Sequence, residues 1–403
     1  MRSLSITGGL LLAALAHAGL HQVAERRSLF IHPGLMYSAE RIETFRSNAL
    51  SGEEPWASTY EALRSDSRAS YNYTMRGPAT IIGKTDNATI NSNAKKWEAD
   101  VLAVHLNSLN FAISQDPAYA RKVTEIVDAW SSTLEEVTPG SNFVGGLIGF
   151  GFINGIELVK HVNGGRWPSG EQNFQRVQEM VQTLLMPVKN AAARPPDQPV
   201  AGGNQAFLGH MAGMSFAIFT NNRTGFEEEL GIIMHPFEGC IGDQGGSMQA
   251  LLHPVTGQNA EAGRDQGHAA DEVGWIEEAA RVAANQGHTE LFDLKSQDGN
   301  DTPLILLAFE YYFKYNLGYD VPFDDTWHPC CCGNVNYTVI SDKDRGIVKP
   351  IGEAAYNYYV GQKGLSMPYT TEWLQKNRPL QVAASNVLDF LSYGTLVWAF
   401  SDL

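Results

Sequence analysis

AKKWEADVLAVHLNSLNFAIS, Ala94 to Ser114, followed closely by AYARKVTEIVDAWSSTL, Ala118 to Leu134, is the stretch that decides the fold class. Apolar residues recur in both at spacings of three and four, the period of a helix with a buried face. The short break between them makes the pair a helical hairpin. The same spacing returns in Gly170 to Met186, Asn204 to Phe219 and Asp271 to Asn285. The interruptions, at Gly164-Gly165, Pro195-Pro196, Gly202-Gly203 and Gly245-Gly246, read as turns within one domain. Strand signals are thin, with Val335 to Ile340 and Gly394 to Phe400 the better candidates. Serial hairpins that close into a ring give an all-α architecture, an α/α toroid (incomplete α/α barrel) with few short strands and a cleft at one rim. A bundle or a solenoid satisfies the periodicity equally.

Ahead of the helices, Arg2, the apolar run Leu10 to Leu15 and the small-x-small pattern Ala16-His17-Ala18 read as a secretory signal. Residues 1–18 are therefore assigned to the signal and 19–403 to one toroid domain. The apolar run is too short to span a bilayer, and no later segment reads as long enough. The expectation is an extracellular protein. Asn72, Asn87, Asn222, Asn300 and Asn336 each begin an Asn-x-Thr sequon, five candidate glycosylation sites. Cys240 and the run Cys330-Cys331-Cys332 are disulfide candidates for an oxidising compartment. A zinc site built from His328 and these thiols is the competing reading, at a spacing that matches no common finger. A net charge of −15 disfavours nucleic acid as a partner and requires any anionic substrate to find a locally basic cleft.

The densest polar cluster is Gly257-Gln258-Asn259-Ala260-Glu261-Ala262-Gly263-Arg264-Asp265-Gln266-Gly267-His268, with Asp271 and Glu272 just beyond. If a helix begins near Asp265, His268 and Asp271 lie one turn apart, where a carboxylate can orient an imidazole for proton transfer. Arg264 lies one residue outside that helix. The plainer reading is a helix cap at Asp265 with Glu261 paired to Arg264. A second cluster, Gly202-Gly203-Asn204-Gln205, opens the helix carrying His210. Amides at a helix start can donate to a carboxylate, aided by the positive helix end. His210 by itself reads as a core or rim histidine. Trp97, Trp130, Trp275 and Trp327 are offered as sugar-stacking aromatics or, more simply, as core. Tyr71 and Tyr73 beside Arg76 read as a lid or as an ordinary surface loop.

His32-Pro33-Gly34-Leu35, Gly203-Asn204, Glu261 to His268, Phe309 to Gly318 and Tyr356-Asn357-Tyr358-Tyr359, among other matches, resemble alginate-lyase-type proteins, the family 5 polysaccharide lyases and their relatives, with a glucuronan lyase branch among them. The resemblance covers nearly the whole chain after the signal. It implies an α/α toroid that cleaves a uronate polymer, glucuronan or mannuronan/alginate, by β-elimination. On that analogy Asn204 and Arg264 neutralise the uronate carboxylate and His268 moves protons. Gln205, His210, His253, Gln258, Glu261, Gln266 and Tyr358 are expected substrate contacts. No cofactor and no obligatory metal is expected; the partner is an acidic polysaccharide, with no nucleic acid and no membrane. Two positions depart from the family pattern: Gln205 stands where relatives carry histidine, and Asp271 where they carry tyrosine. The competing readings are a non-catalytic carbohydrate-binding protein derived from a lyase, a glycoside hydrolase using Glu261, Asp265, Asp271 or Glu272, and a metal site around His268.

Overall fold

The structure is a computed structural model and describes residues 30–189, 203–236, 246–327, 337–380, 389–391, 393–401 and 403. The signal segment, His328, all four cysteines and Asn336 lie outside the described residues.

Helix α1, Ala39–Ser51, begins where the Ser38 hydroxyl accepts the Arg41 amide, and α2, Trp56–Ser65, packs against it. The predicted hairpin is α3, Ala88–Ser114, and α4, Pro117–Thr133. Asn87 and Asp116 cap the two helices, and Pro117 opens α4 where its missing N–H leaves no hydrogen bond unmade. There follow α5, Ile148–Val162; α6, Glu171–Met180; α7, Asn204–Phe219; α8, Arg223–Ile233; and the short α9, Met248–Leu251. The C-terminal part holds α10, Gln266–Asn285; α11, Glu290–Asp293; α12, Leu304–Asn316; α13, Glu353–Tyr356; α14, Pro368–Asn377; and α15, Gly394–Trp398.

Their contacts trace a closed ring. α1 packs on α3, α3 on α5, α5 on α7, α7 on α10, α10 on α13, α13 on α15, and α15 returns to α1. Outside it, α4 lies on α3 and α6, α8 on α7, and α12 on α10 and α14. This is an α/α toroid. The sole sheet among the described residues pairs β1, Ile81–Ile82, in parallel with β2, Glu136–Val137.

Two expectations are corrected. Gly394 to Phe400 is not a strand: Gly394–Trp398 is a helical turn buried between α1, α2 and α13, and tertiary packing overrides the β-leaning residues. The described part of Val335 to Ile340, residues 337–340, is irregular chain laid on the loop before α10. The membrane reading also needs an amendment. Phe143–Val162 is long and apolar enough to cross a bilayer, yet the packed ring buries 83% of its most apolar window. Its apolarity is that of a core helix.

One carboxylate fixes the direction of the inner helices. Glu157, near the end of α5, accepts the amides of Gly34 and Leu35 and the Nδ1 of His32. Asn154 accepts the Met36 amide, and Asn285 and Gln286, at the end of α10, donate to Leu35 and Gly34. Asn221, just past α7, hydrogen-bonds His32. Residues 31–36 thus tie the C-terminal ends of α5, α7 and α10 at one rim, so the N-terminal ends share the other.

The seam where the ring closes is held by Arg378, whose guanidinium donates twice to Glu353 at 2.8 Å, while Thr395 donates to the same carboxylate. Both charged groups are buried. Arg378→Met leaves Glu353 an unpaired buried charge and is expected to cost about 3–5 kcal/mol. Denaturant melts check this; a loss below about 1 kcal/mol would show the pair to be dispensable.

Candidate active site

Asn204 and the loop ending at Asp265 meet the N-terminal rim on adjacent inner helices. Gly203 adopts φ 78°, a conformation that favours glycine, and turns the chain straight into α7. Asn204 is buried, and its carboxamide makes no hydrogen bond to any described residue. It sits on the first turn of α7, where the helix dipole favours negative charge. Gln205 follows it, half-buried.

The loop before α10 is pinned from several sides. The Ala260 amide donates to Glu272 and to the Leu251 carbonyl, and Asn259 donates to the Ala269 carbonyl. Residues 337–344 run along it: the Ser341 amide donates to Ala262, and the Gln266 amide donates to Lys343. Gly263 is required by this approach, because a Cβ there would sit 2.2 Å from Tyr337.

Asp265 then does two things with one carboxylate. It caps α10 by accepting the His268 amide at 2.9 Å, and its two oxygens lie 2.8 and 2.9 Å from His268 Nδ1. A carboxylate selects the tautomer with hydrogen on Nδ1, so Nε2 keeps its lone pair. Nε2 has no partner among the described residues, and the His268 side chain is 37% exposed. The arrangement is an oriented imidazole with its basic nitrogen open to solvent, the geometry of a general base. Burial alone would raise the Asp265 carboxyl, but the hydrogen bonds and charge of His268, together with Lys343, outweigh it and hold the group at about 2.

Two exposed cations flank the dyad and are steadied by buried carboxylates. Arg264, 36% exposed, lies 3.5 Å from Glu261 and 4.0 Å from Asp265. Lys343 reaches Asp265 at 3.3 Å and Asp344 at 3.9 Å. The cap and the Glu261–Arg264 pair of the plainer reading both exist. They hold Arg264 and His268 in place at the rim.

The orienting partner of His268 is corrected. Asp271 makes no hydrogen bond to it; half-buried, it pairs with Lys349, which also approaches Asp389 at 3.4 Å. Burial pushes Asp271 up to about 6, with Lys349 opposing and Asp389 adding to the rise. Other expected contacts are committed to the protein. His210 is buried with Nδ1 on Glu229, which also holds Lys189. His253 accepts the amides of Val255 and Thr256 on Nδ1 and faces Asp324 with Nε2. Gln258 brackets the backbone of Asp324 with both ends of its amide. Gln266 binds the carbonyls of Ala262 and Ser341 and accepts from Asn316. Tyr358 belongs to the opposite rim, where it stacks on Phe292 and donates to Asp293.

Trp97, Trp130 and Trp275 are core, while Trp327 meets His253 edge-on. Tyr73 is buried with its hydroxyl on Asp100, and Tyr71 packs on Tyr119. Of the sequon residues, Asn72, Asn87, Asn222 and Asn300 are exposed. Lys343 was not singled out from the sequence, because nothing local in Ser341-Asp342-Lys343 announces that this segment docks on a loop some 80 residues earlier.

In fold, the chain is similar to a tyrosine-to-phenylalanine variant of alginate lyase A1-III complexed with a tetrasaccharide. The TM-score is 0.58 at 12% identity, over 89% of this chain and 94% of that one. It is likewise similar to alginate lyase A1-III from Sphingomonas species A1, with a TM-score of 0.53 at 12% identity, over 89% and 95% of the two chains. Comparison with family models gives no match, and neither does comparison with curated proteins. At this identity the likeness carries the fold.

The double duty of Asp265 separates by substitution. Asp265→Asn preserves a good cap, so near pH 2, where the charge of the carboxylate is lost, it should match wild type within about 0.5 kcal/mol, whereas Asp265→Ala should be about 1 kcal/mol less stable there. The depressed acidity adds a pH signature: the stability lent by the charge is full above the ordinary value of 3.8 and lost as pH falls through about 2. Acid titrations of wild type and Asp265→Asn should therefore diverge above about pH 4 and converge near pH 2. Parallel curves would mean that the carboxylate is not held by His268 and Lys343.

Proposed function

We propose that this protein is an extracellular polysaccharide lyase that cleaves a uronate polymer, of glucuronan or mannuronan/alginate type, by β-elimination. The observation that carries the reading is the Asp265–His268 dyad near Arg264, on the rim shared with Asn204, with His268 Nε2 and the Asn204 carboxamide bonded to none of the described residues. Elimination needs a base for the proton next to the carboxylate and charge stabilisation for the carbanion-like state that follows. His268 Nε2 takes that proton. Arg264, with Asn204 at the head of α7, neutralises the carboxylate and makes the proton acidic. Asp265 stabilises the imidazolium, which can return its proton to the leaving glycosidic oxygen. Lys343 supplies further positive charge for a polyanion that must approach a chain of net charge −15.

This division of labour relocates the proton shuttle relative to the family pattern. Gln205 has no basic nitrogen, and Asp271 is paired with Lys349, so neither fills the histidine and tyrosine roles of the relatives. A hydrolase finds less support: Glu261 and Asp265 are buried behind cations and Glu272 accepts the Ala260 amide, so these carboxylates are not offered as a pair across a bond. The two departures favour one second reading, a carbohydrate-binding protein derived from a lyase.

Absorbance at the ultraviolet band of an unsaturated uronate, followed over a panel of mannuronate-rich, guluronate-rich and glucuronate polymers with and without a chelator, decides between them. The expected result is a rise on one polymer that survives the chelator. His268→Ala should lower the rate by about a hundredfold to ten-thousandfold, and Arg264→Ala by about a hundredfold or more. A flat trace from folded protein on every polymer would sink the lyase reading and leave the binding protein.

A further inference from the structure

The rim opposite His268 holds a cavity of about 590 Å³ that the proposed reaction does not use. It lies at the C-terminal end of α10, roughly 20 Å along the helix from His268 at 1.5 Å per residue. At its depth is Arg281, only 5% exposed. Its guanidinium spends one nitrogen on the Ala354 carbonyl at 3.0 Å, and its buried Nε has no partner. The group stands over the rings of Trp398, Phe292 and Tyr358, with centroids at 4.7, 5.0 and 5.6 Å. Burial draws it down to about 10, so it stays charged at neutral pH.

Arg41 enters the same cavity from α1. It donates to the Val397 carbonyl and to Asn357, and lies 5.1 Å from the Trp398 ring. Neither arginine makes an ion pair among the described residues. The nearest buried carboxylate, Glu277, is occupied by the amides of Gly352 and Ala355. Two guanidiniums are thus pre-positioned on aromatic faces with no carboxylate at ion-pair distance among the described residues; Glu40 acts on Arg41 and Glu277 on Arg281 only from further off, and burying such a group unpaired is costly. Planar guanidinium forks fit oxyanions. The rest of the lining is of the opposite kind. The side-chain oxygens of Asn285, Gln362 and Glu40 accept no hydrogen bond from any described residue and suit hydroxyl donors.

We propose that this cavity is a second ligand site, which takes a small polyhydroxylated carboxylate, a sugar acid, with the carboxylate on Arg281 and Arg41 and the hydroxyls on the surrounding oxygens. The volume is that of a small-molecule pocket. A bare phosphate would satisfy the arginines and leave the acceptors unused; a neutral sugar would do the reverse. The assignment rests on this rim alone and stands whether or not the other rim is catalytic.

Isothermal titration of the full-length protein with sodium glucuronate, glucose and inorganic phosphate tests it. Glucuronate should bind saturably, and glucose and phosphate at least tenfold more weakly. Arg281→Met and Arg41→Gln should each weaken glucuronate at least tenfold, and Arg264→Ala should not. If circular dichroism shows Arg281→Met unfolded, the half-buried Arg41→Gln decides. No saturable binding of glucuronate overturns the site. So does binding that ignores both arginine variants but disappears in Arg264→Ala, since the heat would then come from the other rim. Phosphate or glucose binding as tightly as glucuronate overturns the sugar-acid assignment.

Discussion

Helices α7 and α10 have almost no solvent-facing side, and most of this molecule's organisation follows from that constraint. In α7 every residue but Gln205 is buried; in α10 only His268, Asp271, Ala284 and Asn285 escape burial. A helix that is buried all round needs neighbours all round, and a ring with an outer layer of helices supplies them. Polar groups within the walls, such as Glu272 and Glu277, are bonded to backbone, and those open to solvent gather at the two rims. The N-terminal rim receives unpaired amides and positive helix ends, and there the chain places Asn204, Arg264 and His268. The C-terminal rim is tied by Glu157 and the segment 31–36, and there it places Arg41 and Arg281.

The economy of the N-terminal rim lies in one carboxylate. Asp265 ends the loop, starts α10, aligns the imidazole and collects Lys343. Because cap and orienting group are the same side chain, the position of His268 is set by the start of the helix itself, a rigid reference. The loop cannot drift from that reference, since residues 337–344 and Glu272 hold its backbone on both sides. Rigid support of this kind is what a proton-transferring group requires.

The helical fold class was legible because periodicity over long segments is a strong signal; α7 runs over the stretch read from the sequence, Asn204 to Phe219. Periodicity alone did not decide the ring, since it suits a bundle equally; the resemblance to alginate-lyase-type proteins implied the toroid, and contacts such as α15 on α1 close it. Gly394 to Phe400 misled because its branched and aromatic residues are selected for packing between helices. In the candidate site, the segment Glu261 to His268 stood out by polar density. The partner of His268 was misread because spacing on one helix face favours Asp271, whereas Asp265 reaches the imidazole from the cap position, and Asp271 finds Lys349 from a distant part of the chain. Polar residues such as Gln258, Gln266 and His253 looked like substrate contacts for the same reason. Sequence shows polarity, and only the fold shows that their hydrogen bonds are spent within the protein.

In the proposed reaction the bond to the neighbouring sugar breaks by elimination, without water entering the product. The most direct test is mass spectrometry of the oligosaccharides released when a polyuronate is digested in heavy-oxygen water. Elimination gives fragments whose masses sum to that of the parent chain, each new non-reducing end unsaturated and no heavy oxygen gained. Fragments that together carry one added water bearing the heavy isotope would contradict it and identify hydrolysis instead.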